Sequence, residues 1–317
     1  MTSDQSPTAF SILIAAWNCW SDLERCLDSI LRDPEVHPSF ETIVVDNGSE
    51  DGTPAKLARS FPTVRLVRNE ENLGHTRAVN QGIELARGEF LLVLDADTVV
   101  KPGAFVRLLT FLKERPEVAV VAPRMFNGDG SIQETARSFP RPINGLLGRQ
   151  SLLTRWFPNN RFVRSYMRSE QRGRSSPFRV DWVSAACMMF PAALVRRIGS
   201  WDEGYHSYWV DADWCLRAAN AGGAVYCIPE AQVVHFEQNR RGKRKSASRI
   251  ILFHRSVNRF YRKHYTRGWL DPRAAVASLV LGVRAVLLIA GNLFLPADGT
   301  AETKDTMAIL EERPTKE

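Results

Sequence analysis

The chain has 317 residues, 44% hydrophobic and 24% charged, which excludes a disordered or fibrous protein and leaves room for a sizeable core. Its formal charge of +7 is uneven: residues 238–267 hold eleven Lys/Arg and no Asp/Glu, and residues 137–179 hold ten Arg against Glu170 alone. Such blocks imply an anionic partner, whether nucleic acid, anionic lipid or a phosphorylated substrate.

Residues 10–17 (FSILIAAW) form a short apolar, β-prone run, and residues 21–32 follow with Leu23, Cys26, Leu27, Ile30 and Leu31 on one helical face. The order repeats as strand 41–45, helix 51–60, strand 63–67, helix 75–86 and strand 90–94. A helix over 101–115, with Pro102 in its first turn and Pro116 as its stop, precedes a strand at 118–122. This alternation predicts an α/β fold built on a largely parallel sheet covered by helices. Residues 126–177 loosen into Gly, Pro, Arg and aromatic residues, a candidate substrate-binding segment or lid. Regular signals resume at 180–190, with helices near 192–198 and 211–221.

Residues 240–265 mix Arg and Lys with Ile250, Ile251, Phe253, Val257, Phe260 and Tyr261, the pattern of a basic amphipathic helix suited to an anionic membrane surface. Residues 274–295 are apolar almost throughout but carry Arg284 at their middle. That arginine would cost roughly 2.5–3.5 kcal/mol at a bilayer centre, which disfavours a simple span and ranks it behind interfacial attachment and docking on the protein's own body or a partner. The five cysteines are odd in number and include no CxxC pair, so reduced thiols are expected. Residues 1–9 lack the order of a secretory signal, and a cytoplasmic protein is the expectation.

Two apolar strands run straight into acid, one ending at Asp46 and one at Asp95 and Asp97. Ligands of open parallel sheets sit beyond the carboxyl ends of strands, so these acids should share a crevice, although Asp also caps helices and closes turns. Asp-x-Asp offers oxygen ligands to a hard divalent cation, which would offset charge on a departing diphosphate. Residues 72–82 (NLGHTRAVNQG) read as a loop entering a helix, with Gly74 allowing close backbone approach and Arg77 available to a phosphate. Neither GxxxxGK[ST] nor GxGxxG is present. Asp202, Glu203, Asp211 and Asp213 could supply a general base, while capping would equally explain Asp211 at a helix start. Trp182, Trp201, Tyr205 and Trp209 could stack on a sugar or pack in the core.

In this order, SILIAAWN, VVDNGSEDGT, NLGHTRAVNQGI, LLVLDADT and WDEGYHSYWVDADWCLRAANAGG resemble glycosyltransferase family 2 over about residues 10–265. The resemblance implies the GT-A fold, a Rossmann-like, mostly parallel sheet flanked by helices. It divides the chain into a tail (1–9), a catalytic domain (10–238), a basic and apolar membrane-proximal helical region (239–296) and a polar tail (297–317). Within the catalytic domain, 10–125 would be the nucleotide-binding half and 126–238 the acceptor-binding half. The implied reaction is an inverting, metal-dependent transfer of a sugar from a nucleotide diphosphate to a hydroxyl. Asp46 would meet the nucleobase and Asp95 the ribose side, with Asn72, Gly74, Arg77 and Asn80 completing the donor site. Asp97 and His235 would hold Mn²⁺ or Mg²⁺, imidazole favouring Mn²⁺. Asp211 would be the catalytic base, and Trp182, Ser184, Asp202, Glu203 and Asp213 would face the acceptor.

Family members carry Glu-Asp-x-Asp where this chain reads Val210-Asp211-Ala212-Asp213, so one carboxylate is absent and Asp213 is the reserve base. Residues 128–133 (GDGSIQ) resemble a subgroup that includes rhamnosyltransferases, making dTDP-linked L-rhamnose the expected donor, with UDP sugars next. The C-terminal helices match a polyprenyl-linked or other cell-envelope glycan acceptor at the cytoplasmic face of the membrane; nucleic acid is not an expected partner. The alternatives are a non-catalytic nucleotide-sugar-binding scaffold, marked by Val210, and a nucleic-acid binder using the basic tract.

Overall fold

The computed structural model of the chain describes residues 8–33, 40–139, 173–236, 247–268 and 270–292. Most of the expected lid segment (140–172), the Arg/Lys cluster at 240–245 and both tails lie outside the described residues.

The first half alternates as the sequence predicts: β1 (Phe10–Ala16), α1 (Trp20–Leu31), β2 (Phe40–Asn47), α2 (Thr53–Ser60), β3 (Arg65–Asn69), α3 (His75–Leu85) and β4 (Phe90–Asp95). β1 lies between β2 and β4 and is parallel to both, with Ala16 opposite Asp46 and Ala15 opposite Asp95. The two aspartates therefore flank the small residues that end β1, where the strand order reverses and open α/β sheets bind ligands.

β5 (Thr98–Val100), α4 (Ala104–Glu114), β6 (Val118–Phe126), β7 (Ile132–Gln133), β8 (Phe178–Val180), β9 (Cys187–Pro191), α5 (Ala192–Ile198), α6 (Val210–Asn220) and β10 (Ala224–His235) complete the body. The sheet order is β3-β2-β1-β4-β9-β6-β10-β5, with β7 on β6 and β8 on β10. β10 is parallel to β6, whereas β9 enters antiparallel to β4 and β5 antiparallel to β10. Helix α4 begins later than the sequence predicts because Gly103, at φ +73°, takes the left-handed conformation before it. The predicted run over 180–190 divides in two: residues after β8 leave the sheet, Trp182 bridging to Arg137, before β9 begins.

Alternation along β1 sends Ile12 and Ile14 to a core shared with α1 and α4, and Leu13 to one shared with α3 and α6. Two further helices, α7 (Ala247–Tyr265) and α8 (Pro272–Asn292), pack on each other, and α7 is seated on the body. Phe260 of α7 is buried against Trp209, and Phe253 contacts Tyr208 and Trp209. Every cysteine is free, and burial pushes the thiols of Cys26, Cys215 and Cys227 up to about 12, so these sulfurs act as apolar packing.

Candidate active site

β4 ends at Asp95, turns through Ala96 and Asp97, and returns as β5, which pairs with the end of β10 so that His235 stands opposite Thr98. A hydrogen bond from Phe236 N to Asp97 O (2.8 Å) locks that junction. One ligand atom from each of Asp95, Asp97 and His235 lies within 4.8 Å of the others. His235 Nε2 is 3.2 Å from Asp97 Oδ1 and 3.8 Å from Asp95 Oδ2. Two carboxylates and an imidazole are a donor set that fits Mn²⁺ or a similar hard-to-borderline cation.

The orientation of His235 has its own cause. Its Nδ1 lies 2.9 Å from Gln133 Oε1, and Gln133 Nε2 donates to Asn127 Oδ1 at 3.2 Å, which fixes the amide with its oxygen toward the ring. With Nδ1–H donating to that oxygen, Nε2 is the ring nitrogen left to join the carboxylates around a cation. Gln133 ends the GDGSIQ segment, so that segment carries the residue that orients His235.

Asp46 is 1% exposed; Oδ2 accepts from Ser49 N at 3.2 Å, and Oδ1 is buried without a hydrogen-bond partner among the described residues. A buried acceptor of this kind is costly unless a ligand donor meets it. Asn72 is folded into the neighbouring loop, its Oδ1 accepting from Gly74 N (2.9 Å) and Asn47 Nδ2 (3.0 Å). At Gly74, φ +90°, an added Cβ would collide with the ring of His206, so the close approach expected there is to the 202–209 loop.

Asp211 opens α6. Its Oδ2 accepts from Ala185 N at 3.4 Å, and the adjoining Ala186 O accepts from Asp95 N at 2.9 Å, so two residues of one loop link the candidate base to the cation cluster. Burial raises the Asp211 carboxyl above its ordinary range, opposed by Arg137 and by backbone N–H groups. Arg137 stacks its guanidinium over Trp182, 4.8 Å from the ring centroid. Ser184 Oγ accepts from Ala186 N and helps shape that loop. Val210, where the family resemblance leads one to expect Glu, is buried in the apolar core.

His75, which sequence reasoning passed over, is the first residue of α3, with Nε2 3.3 Å from Asp95 Oδ1. Burial alone would lower its imidazole, but Asp95, with Asp211 and Asp97 beyond, raises it. The Asp95 carboxyl, although burial would raise it, is held below the usual range by His75 and His235.

Other expected site residues are engaged inside the protein. Asn80 is buried, exchanging hydrogen bonds with the backbone of Trp201 (2.9 and 3.1 Å) and donating to Glu203 Oε1 at 3.1 Å, so it clamps α3 to the 201–204 loop. Arg77 pairs with Glu203 at 3.2 Å on the rim of a cavity of about 320 Å³ that also includes Thr76 and His206. Asp213 corrects the expectation of an acceptor-facing residue or reserve base. Its side chain is 0% exposed and pairs with Arg217 (2.9 Å), Lys263 (2.8 Å) and His264 (2.7 Å). Asp202 is likewise held by Arg259 and Lys263, both at 2.7 Å. Trp182 is buried, its indole N–H donating to Ser138 O at 2.9 Å, and offers packing more than an open sugar platform.

Comparisons with known proteins agree with this geometry. The sequence model of glycosyl transferase family 2 matches residues 11–188. An N-acetylglucosaminyl-diphospho-decaprenol L-rhamnosyltransferase of Mycobacterium tuberculosis is 29% identical over 282 residues, covering 86% of this chain and 90% of the relative. Among solved structures, the mannosyltransferase PcManGT from Pyrobaculum calidifontis, in complex with GDP-Man and Mn²⁺, superposes with a TM-score of 0.55 at 20% identity, covering 97% of this chain and 81% of that one. GalNAc-T7 with UDP, GalNAc and Mn²⁺ gives 0.57 at 16% identity, over 80% of this chain and 48% of that one. These likenesses establish the GT-A fold.

Proposed function

The chain belongs to glycosyl transferase family 2, and we propose that it transfers L-rhamnose from a dTDP donor, with inversion, to a hydroxyl of a polyprenyl-diphosphate-linked saccharide. The observation that carries this reading is the convergence of Asp95, Asp97 and His235 at the carboxyl edge of the sheet, beside Asp46 and within one loop of Asp211. The lipid-linked acceptor and the sugar rest on the mycobacterial relative and on the GDGSIQ segment.

In this reading Asp46 Oδ1 accepts the ring N–H of the thymine, which gives that buried oxygen its missing partner. Asp95 faces the ribose side and, with Asp97 and His235, would hold Mn²⁺ or Mg²⁺. The cation, when bound, offsets the charge that develops on the departing diphosphate. Asp211 takes the proton from the acceptor hydroxyl as its oxygen attacks the anomeric carbon, the bond to diphosphate breaking on the opposite side. Its raised affinity for protons suits that task, and a single displacement inverts the centre without a covalent intermediate.

The exposed face of α8, with Val276, Leu279, Val283, Val286 and Leu287, supports attachment to the cytoplasmic face of the membrane, where such an acceptor resides. Exposed Arg255, Arg262 and Arg267 supply cations for anionic head groups.

The test is turnover: dTDP-L-rhamnose and a polyprenyl-diphosphate N-acetylglucosamine incubated with the protein and Mn²⁺, with the lipid product read by mass spectrometry. Addition of one deoxyhexose in the wild type and none in Asp211→Asn supports the reading. Failure to transfer from any nucleotide sugar, with intact donor binding, would turn the chain into a scaffold.

A further inference from the structure

Asp95 is anchored at the backbone from both directions, its N–H bonded to Ala186 O (2.9 Å) and its carbonyl accepting from Thr98 Oγ1 (2.8 Å). Its carboxylate could still rotate. Among the described residues two imidazoles meet it: His75 Nε2 at 3.3 Å from Oδ1, and His235 Nε2 at 3.8 Å from Oδ2. His235 also reaches Asp97 at 3.2 Å and belongs to the cation cluster. His75 lies outside that cluster, on the far oxygen.

The setting of His75 is built for that contact. The ring is carried on the first turn of α3, where the helix dipole favours an acid and gives a histidine no advantage. It packs against Trp201, with ring centroids 6.2 Å apart, and Trp201 is itself fixed by Asn80 of the same helix. Nε2 is buried and completes no hydrogen bond among the described residues; its 3.3 Å approach to Asp95 Oδ1 is the contact that would satisfy it.

We propose that His75 is a positioning residue for the cation site, its Nε2–H holding Oδ1 of Asp95 so that Oδ2 stays turned toward His235 and Asp97. The inference rests on the cation site proposed above. It adds a member of the NLGHTR loop to that site and makes the entry of α3 part of the metal architecture. Groups that orient a ligating carboxylate typically change metal affinity by about 10–100-fold when removed.

The experiment is a titration of the full chain with Mn²⁺ in the presence of dTDP, following the free-ion signal by electron paramagnetic resonance, with no turnover involved. His75→Met fills a similar volume without an N–H donor, His75→Gln keeps a donor, and Asp97→Ala removes a proposed ligand. The expected result is Mn²⁺ binding weakened about 10–100-fold in His75→Met, largely restored in His75→Gln, and lost in Asp97→Ala. Loss in Asp97→Ala with wild-type affinity in His75→Met would overturn the role of His75 alone. Unchanged affinity in Asp97→Ala would overturn the cation site and this inference with it. Should His75→Met not fold, imidazole ¹⁵N spectra of the unaltered chain decide: a proton on Nε2 of His75 supports the proposal, and a bare Nε2 contradicts it.

Discussion

Asp211 owes its character to burial and not to a neighbouring charge, because Val210 turns into the core where a second carboxylate would have raised the proton affinity further. A protonated base cannot accept the hydroxyl proton, so the rate falls as pH drops through its pKa. The acid limb of the kcat/KM profile should therefore lie above the ordinary aspartate value of about 3.9. Asp211→Asn is expected to lower kcat by about 10³-fold while leaving dTDP affinity unchanged, measured by steady-state kinetics and calorimetry. Gly74→Ala should fail differently: its Cβ meets the His206 ring on a left-handed backbone, so donor affinity falls and the loop loosens, visible as lost amide protection over 72–77 in hydrogen exchange. Asp46, Asp95 and Asp97 stood out in the sequence because each ends an apolar strand or its sharp turn, whereas His235 entered only through the family resemblance. Gln133 and His75 did not, since their partners lie 102 and 20 residues away and meet them only through strand pairing in the first case and the seating of α3 on the sheet in the second. Asp202 and Asp213 misled because an acid inside a site-like motif reads the same whether it faces substrate or a distant cation.

Helix α7 supplies those cations. Arg259 and Lys263 turn inward to Asp202, and Lys263 and His264 to Asp213, so part of the basic tract closes the protein onto itself. The Arg259 guanidinium lies against Gly204, in the space a Cβ there would take. On the same helix Phe253 and Phe260 hold Trp209, whose φ of +71° is unusual for a bulky residue and precedes the candidate base by two positions. Asp213→Ala, which removes the buried carboxylate that gathers the partly exposed Arg217 and Lys263, should cost about 1–3 kcal/mol of stability in urea unfolding. The carboxyls of Asp202 and Asp213 are both lowered by their partners, although burial opposes the shift. Their contribution is thus fully present above the unfolded value of about 3.9 and is lost as pH falls through the folded one. Docking of α7 should survive at pH 5 and weaken only below about pH 4, followed by Trp fluorescence. The helical period of α7 was plain in the sequence; its seat was not, because a basic amphipathic pattern serves a bilayer and an acidic protein surface alike.

At the scale of the whole molecule, the sheet collects its acids at one edge because β1 sits where the strand order reverses. Apolar runs with intervening helices made β1 to β4 readable, whereas β5, β7 and β8, of two or three residues each, take their form from partners remote in sequence. Arg284, which weighed against a simple membrane span on sequence grounds, is half-buried and close enough to His254 of α7 to lower that imidazole further, burial being the larger cause. The apolar side chains of α8 keep a continuous exposed face. Changing Leu279, Val283 and Val286 together to Gln should weaken co-sedimentation with anionic vesicles at least about tenfold, since each buried aliphatic side chain contributes about 1.5–3 kcal/mol.

The central claim is a cation-dependent nucleotide-diphosphate site at the carboxyl edge of the sheet. Calorimetric titration of the protein with dTDP and UDP, with and without Mn²⁺ and alongside Asp97→Ala, tests it most directly. Binding should need Mn²⁺, favour dTDP and disappear in Asp97→Ala. Binding indifferent to both Mn²⁺ and Asp97, or no binding of either nucleotide, would contradict it.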